Sequence, residues 1–216
     1  MEEKLYQACK DGKVEEVQKL LRNSQININW QNQNDYLSTP FYIACHNGHI
    51  DIVKLLLNDK RIDVNKADND GMTPFYSACK NRHIEIVKSL LNDERVNINI
   101  ATNIGWTPFY IACLEGHIEF VKLLLNDKRV DVNQADNYGS TPFHSACYFG
   151  KTEVVKYMLE SGREIDINKK DINGKTALDW ARQKGKADVV KLIESFQKNP
   201  NEIRAQLRKE LAICNL

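Results

Sequence analysis

The sequence has almost no net charge: 30 Lys and Arg stand against 29 Asp and Glu in 216 residues, leaving +1 at pH 7. A chain so balanced has no long-range field to draw it to nucleic acid or to an anionic membrane, and its acidic and basic residues alternate closely. Long apolar runs are missing too, since stretches such as Leu55-Leu56-Leu57 fall far short of the roughly 20 residues of a membrane span. The opening Met1-Glu2-Glu3-Lys4 lacks the basic-then-apolar pattern of a secretory leader, and none of the 22 Asn residues stands in an Asn-x-Ser/Thr acceptor. These absences predict a soluble chain of the cytosol, with the nucleus also open to it and no membrane or nucleic-acid partner. A local basic surplus from Arg182 to Glu210, eight Lys or Arg against four Asp or Glu, is too small to change that expectation.

Catalytic signatures are absent as well. The chain contains no nucleophile elbow, phosphate-binding glycine loop, His-Glu-x-x-His helix or kinase motif. Two segments, Ala67-Asp-Asn-Asp-Gly71 and Lys170-Asp-Ile-Asn-Gly174, echo the middle of an EF-hand loop. The first ligand position would be Lys66 or Lys169, however, and a cation there repels calcium. The expectation is therefore a non-enzyme with no cofactor, metal ion or small-molecule substrate.

What the sequence does have is a period. Of its six cysteines, five fall at 9, 45, 79, 113 and 147, and around four of them the same words recur. They are Thr39-Pro-Phe-Tyr-Ile-Ala-Cys45, Thr73-Pro-Phe-Tyr-Ser-Ala-Cys79, Thr107-Pro-Phe-Tyr-Ile-Ala-Cys113 and Thr141-Pro-Phe-His-Ser-Ala-Cys147, with a looser Thr176-Ala-Leu-Asp-Trp-Ala-Arg182. Each is followed by a segment like Gly116-His-Ile-Glu-Phe-Val-Lys-Leu-Leu-Leu125. Thr as N-cap and Pro at the first helical position predict helices opening at Pro40, Pro74, Pro108 and Pro142, closed by Gly48, Gly116 and Gly150. A second helix should cover roughly 50 to 57, with Ile52, Val53, Leu56 and Leu57 on its apolar side. Both are too short to persist alone, so the helix pairs must stack. The polar Asp63-to-Gly71 stretch between pairs reads as a hairpin-like excursion.

These recurring words at this spacing resemble the ankyrin repeat, over roughly residues 1 to 196. The resemblance implies an all-α, ankyrin-type α-solenoid of helix-turn-helix repeats with hairpin loops. Six repeats are expected, at about 1–34, 35–67, 68–101, 102–135, 136–170 and 171–196, followed by a C-terminal helical tail over 197–216. Three departures stand out. Asn-Asp-Lys-Arg at 58–61 and 126–129 is one residue longer than the family's loop and lacks its glycine, so Asn58, Asn92 or Asn126 is expected to take the left-handed cap position. Arg82 replaces a helix-closing Gly, and Leu37 replaces a hairpin Gly in a hairpin two residues longer than the others. In the tail, Ile203, Leu207 and Leu211 line one side of a helix expected to pack on the last repeat, the alternative being a docking or self-association element.

The cysteines read as core. Neighbouring repeats sit about 8–10 Å apart, beyond the roughly 7 Å a disulfide spans, and each repeat offers only a Cys and a His to a metal. Cys214 lies outside the period. His144, standing where Tyr42, Tyr76 and Tyr110 stand, is expected to make a helix-end hydrogen bond.

Partner binding in similar proteins uses the hairpin tips and the exposed end of each first helix, which line a concave face. Carried over, the candidate partner-binding residues are Asn69, Asp70 and Met72, then Asn103, Ile104, Trp106 and Leu114, then Asn137, Tyr138, Tyr148 and Phe149. Six of these are apolar or aromatic in adjacent repeats, where single scattered ones would be unremarkable. The expected function is that of a monomeric protein-protein interaction module or scaffold. The alternative is a regulatory or inhibitory subunit that masks an enzyme or transcription factor.

Overall fold

The structure, a computed structural model, describes residues 1–213, and among these it contains thirteen helices and no strand ladder. The chain forms two compact units, residues 1–103 and 104–216. The first holds α1 (Glu2–Lys10), α2 (Val14–Leu21), α3 (Pro40–Asn47), α4 (Ile50–Leu57), α5 (Pro74–Lys80) and α6 (Ile84–Leu91). The second holds α7 (Pro108–Glu115), α8 (Ile118–Asn126), α9 (Pro142–Tyr148), α10 (Thr152–Glu160), α11 (Ala177–Gln183), α12 (Ala187–Lys198) and α13 (Pro200–Ile213). Cys214 lies outside the described residues.

Each first helix begins as its sequence dictates. The hydroxyls of Thr39, Thr73 and Thr107 accept the N–H of Tyr42, Tyr76 and Tyr110, and proline follows each cap. Thr141 and His144 cap reciprocally, as do Thr176 and Asp179. Gly48 and Gly116 close their helices in the left-handed conformation. The next such helix, α9, instead closes on right-handed Phe149, with left-handed Gly150 one step beyond.

Packing then makes these short helices, most of about two turns, stable. In the first unit α1, α3 and α5 lie side by side with α2, α4 and α6 behind them; in the second, α7, α9 and α11 are backed by α8, α10 and α12. Phe41, Phe75, Phe109 and Phe143 are at most 1% exposed, and the five periodic cysteines are buried thiols among them. Burying each phenylalanine contributes about 1.5–3 kcal/mol, which no isolated eight-residue helix could supply. Burial also pushes the thiols up, Cys9 to about 12.

The loop after each second helix departs from expectation. Asn58 and Asn92 are right-handed and Asn126 is the last residue of α8, so none takes a left-handed cap. Instead Asp59, Asp93 and Asp127 each accept the backbone N–H two residues on and clamp Arg61, Arg95 and Arg129 at 2.6 Å. The carboxylate turns the chain and makes the glycine unnecessary. Arg61 and Arg95 then donate back to carbonyls at the end of the preceding repeat's second helix, Leu21 and Leu57. Arg82, at φ 65°, and Leu37, at φ 57°, do occupy the left-handed positions left by the missing glycines.

Helix α13 packs on α12, the helix expected to receive it, and equally on α10. Leu207 and Leu211 are buried there, Ile203 is half-buried, and Lys156 bridges Glu153 and Glu210.

A candidate protein-binding surface at the hairpin tips

Three of the hairpins are built by carboxylates. In the first unit the Asp68 side chain accepts the N–H groups of Asp70 and Met72, while its own N–H reaches the Met72 carbonyl at 3.0 Å. In the second unit Asp136 does the same for Tyr138 and Ser140, and Asp171 for Asn173 and Lys175. Successive tips are bonded together within each unit: the Asn69 N–H to the Tyr36 carbonyl, Asn103 to Asp70, Asn137 to Ile104 and Ile172 to Tyr138, all at 2.8–3.2 Å. Gly105 has φ 89°, and a Cβ there would meet the Asn137 nitrogen at 2.7 Å, so both conformation and crowding demand glycine. Within each unit the tips thus form a row of side chains on a hydrogen-bonded backbone rail.

On this rail the expected residues divide. In the first unit Asn69, Asp70 and Asn103 are exposed and Met72 is half-buried. In the second, Asn137 is exposed, and Ile104, Tyr138 and Phe149 are 45%, 60% and 49% exposed. Trp106, Leu114 and Tyr148, expected to be open to solvent, are only half-buried to half-open. Trp106 stacks on Tyr110 at 5.4 Å, and Tyr148 packs against Phe149 and Trp180 at 4.9 and 5.5 Å.

Tyr138, Tyr148 and Phe149 come together around one recess of about 320 Å³, which also takes in Tyr110, Trp180 and the carboxylates of Asp136 and Asp171. Ile104, Trp106 and Leu114 lie outside it. The Tyr110 hydroxyl donates to Asp136 at 3.1 Å, and the Trp180 indole N–H to Asp171 at 2.8 Å. Burial raises the Tyr110 phenol, with the Asp136 charge adding to it. Burial also works to raise the Asp171 carboxyl, but the Lys175 N–H, the Trp180 indole and Asn173 outweigh it and hold that group below its ordinary value.

His144, 2% exposed, forms part of the recess wall. Its Nδ1 accepts the Thr141 N–H at 3.3 Å, which leaves Nε2 to donate to the Lys175 carbonyl. Both ring nitrogens are engaged by the framework, and burial pushes the imidazole below its ordinary value. The residue does hold a helix end and has no free nitrogen for a proton-transfer role. Among the described residues no three His, Cys, Asp or Glu side chains converge on a point that could hold a metal ion.

Several recess residues were not singled out from sequence. Asp136 and Asp171 are two of these, although both stand in the register of the Asp63-to-Gly71 turn. Tyr36 and Ile172, exposed by 66% and 68% at other tips, also escaped. Tyr36 stands three residues before its capping Thr, as do Ile104 and Tyr138, so extending that register to the second repeat would have found it.

The profile of the family described as ankyrin repeats (3 copies) matches residues 5–102, 94–171 and 133–203. A solved structure described as EF0377, an ankyrin repeat protein, superposes with a TM-score of 0.81 at 28% identity, over 90% of this chain and 98% of that one. No curated protein sequence matches significantly. With capped helix pairs, bonded hairpin tips and a profile match across most of its length, the chain belongs to the ankyrin-repeat family.

Proposed function

We propose that this protein is a non-catalytic protein-interaction module that holds its partner on the hairpin tips and first-helix ends of the second unit. The observation that carries this reading is the clustering of Tyr138, Tyr148 and Phe149, partly open to solvent, at one recess on a hydrogen-bonded rail. Aromatic side chains are the commonest anchors of protein interfaces, and a rail fixed by backbone hydrogen bonds loses little entropy when it is engaged. Ankyrin repeats generally serve as protein-interaction modules, which supports the same assignment. In this reading the protein acts as a cytosolic monomer without cofactor.

Affinity capture with the intact chain and with a Trp106→Ala, Tyr148→Ala double variant tests it. A partner retained by the first and lost by the second supports the surface. Undiminished capture of every partner by the double variant, with its helical content intact, overturns it. Whether the captured protein is an enzyme or transcription factor whose activity falls on binding then separates scaffold from inhibitory subunit.

A further inference from the structure

The register that builds the recess around Tyr148 builds a second one in the first unit. There Tyr42, Asp68 and Ser77 stand where Tyr110, Asp136 and Ser145 stand two repeats later. The charges differ at three positions: Lys80 and Asp70 line the first-unit recess where Tyr148 and Tyr138 line the second, and Asp171 of the second has no acidic counterpart in the first, so each recess has two carboxylates but only the first a lysine. The first recess therefore carries its own ammonium group among tyrosines and carboxylates. The second has the two carboxylates of Asp136 and Asp171, an aromatic wall, and no Lys or Arg in its lining.

Those two negative charges are not neutralised from within. Every hydrogen bond the recess makes to Asp136 and Asp171 comes from a neutral donor: backbone N–H groups, the Tyr110 hydroxyl, the Trp180 indole and the Asn173 amide. Neutral donors stabilise a carboxylate without removing its charge. The rings themselves attract ammonium groups, since Lys184 lies 4.6 Å from the Tyr148 centroid and Lys175 4.3 Å from that of Trp180, although neither lysine lines the recess. Finally, the Ser145 hydroxyl, 4% exposed in the recess wall, makes no hydrogen bond of standard geometry, its only interaction being a weak one with the Tyr110 hydroxyl, so its capacity to accept is unfilled.

We propose that this recess receives a lysine or arginine side chain of the protein partner, as a cation set among Tyr148, Asp136 and Asp171 with Ser145 as its acceptor. The inference rests on the protein-binding reading above and specifies the chemistry of the partner residue. A cation over an aromatic face beside a carboxylate gains from the ring quadrupole and from the charge together.

The test uses the full 15N-labelled chain, with the Trp180 indole N–H signal as reporter, assigned by its loss in Trp180→Phe. Butylammonium and butylguanidinium are titrated against neutral 1-butanol and anionic valerate. Both cations should shift the Trp180 signal saturably and bind at least about fivefold tighter than butanol, with valerate weakest. Tyr148→Lys, which installs the residue of the first-unit recess, should weaken the cations at least about fivefold while leaving butanol little changed. Should that variant lose its signal dispersion, Asp136→Asn gives the same comparison, because it removes a charge but keeps an acceptor for the turn. Butanol binding as tightly as the cations, a preference for valerate, or cation binding unchanged in the folded variant would overturn the proposal. A partner released by Tyr148→Ala but not competed by butylammonium also overturns it while leaving the protein-binding reading intact. A partner indifferent to Tyr148→Ala and Trp106→Ala counts against that reading instead.

Discussion

The guanidinium of Arg95 donates to the carbonyl oxygen of Leu57 at 2.8 Å, tying the loop of the third repeat to the last turn of the second helix one repeat earlier. The same side chain is held by Asp93 at 2.6 Å, so a single loop residue satisfies an orphan helix carbonyl in its neighbour. Arg61 does this for Leu21, and Arg163 for Leu125. Replacing Arg95 by Ala is expected to cost about 1 kcal/mol, read from the urea midpoint. Lysine at that position should recover less than half, because it cannot fork between the carboxylate and the carbonyl.

Arg82 stands in a left-handed turn, at φ 65°, where other repeats carry Gly48 and Gly116. A side chain there costs about 1–2 kcal/mol, part of which glycine gives back through its freer unfolded chain. Arg82→Gly should therefore stabilise the protein by about 0.5–1 kcal/mol. A lowered thermal midpoint would contradict the strain.

His144 gives a pH dependence with a definite sign. Its folded imidazole is depressed by burial, so the folded state binds fewer protons than the unfolded chain, whose histidines titrate near 6.5. The stability it supports is complete above about pH 7 and is lost as the pH falls through the unfolded value towards the folded one. Between pH 7.5 and 5.5 the urea midpoint should drop. His144→Tyr, the residue of the sister repeats, should drop less over the same range.

Leu207 joins α13 to α10 and α12, and its replacement by Ala should cost about 2–3 kcal/mol. Glu210→Ala, which removes a half-exposed partner of Lys156, should cost less than about 1 kcal/mol. Equal losses for the two, by chemical denaturation, would mean that the ion pair rather than apolar burial holds the helix.

The repeat, its helices and their starts were legible in the chain because they rest on local chemistry. Thr before Pro caps a helix wherever it stands, and Phe, Ala and Cys at helical spacing make a stripe that only stacking can bury. At Arg82 and Leu37 the missing glycines left either a modest strain or an altered turn open, and the structure keeps the left-handed turn. The loops at the expected Asn caps were not legible, because Asp59, Asp93 and Asp127 turn the chain through hydrogen bonds that no propensity of Asn58 or Asn92 announces. Tertiary structure alone decided which aromatics meet. Tyr148 and Trp180 lie 32 positions apart in the sequence, and only the stacking of α9 on α11 sets their rings 5.5 Å apart beside Asp136 and Asp171. A period fixes which residues share a register, whereas a recess depends on how neighbouring registers are packed.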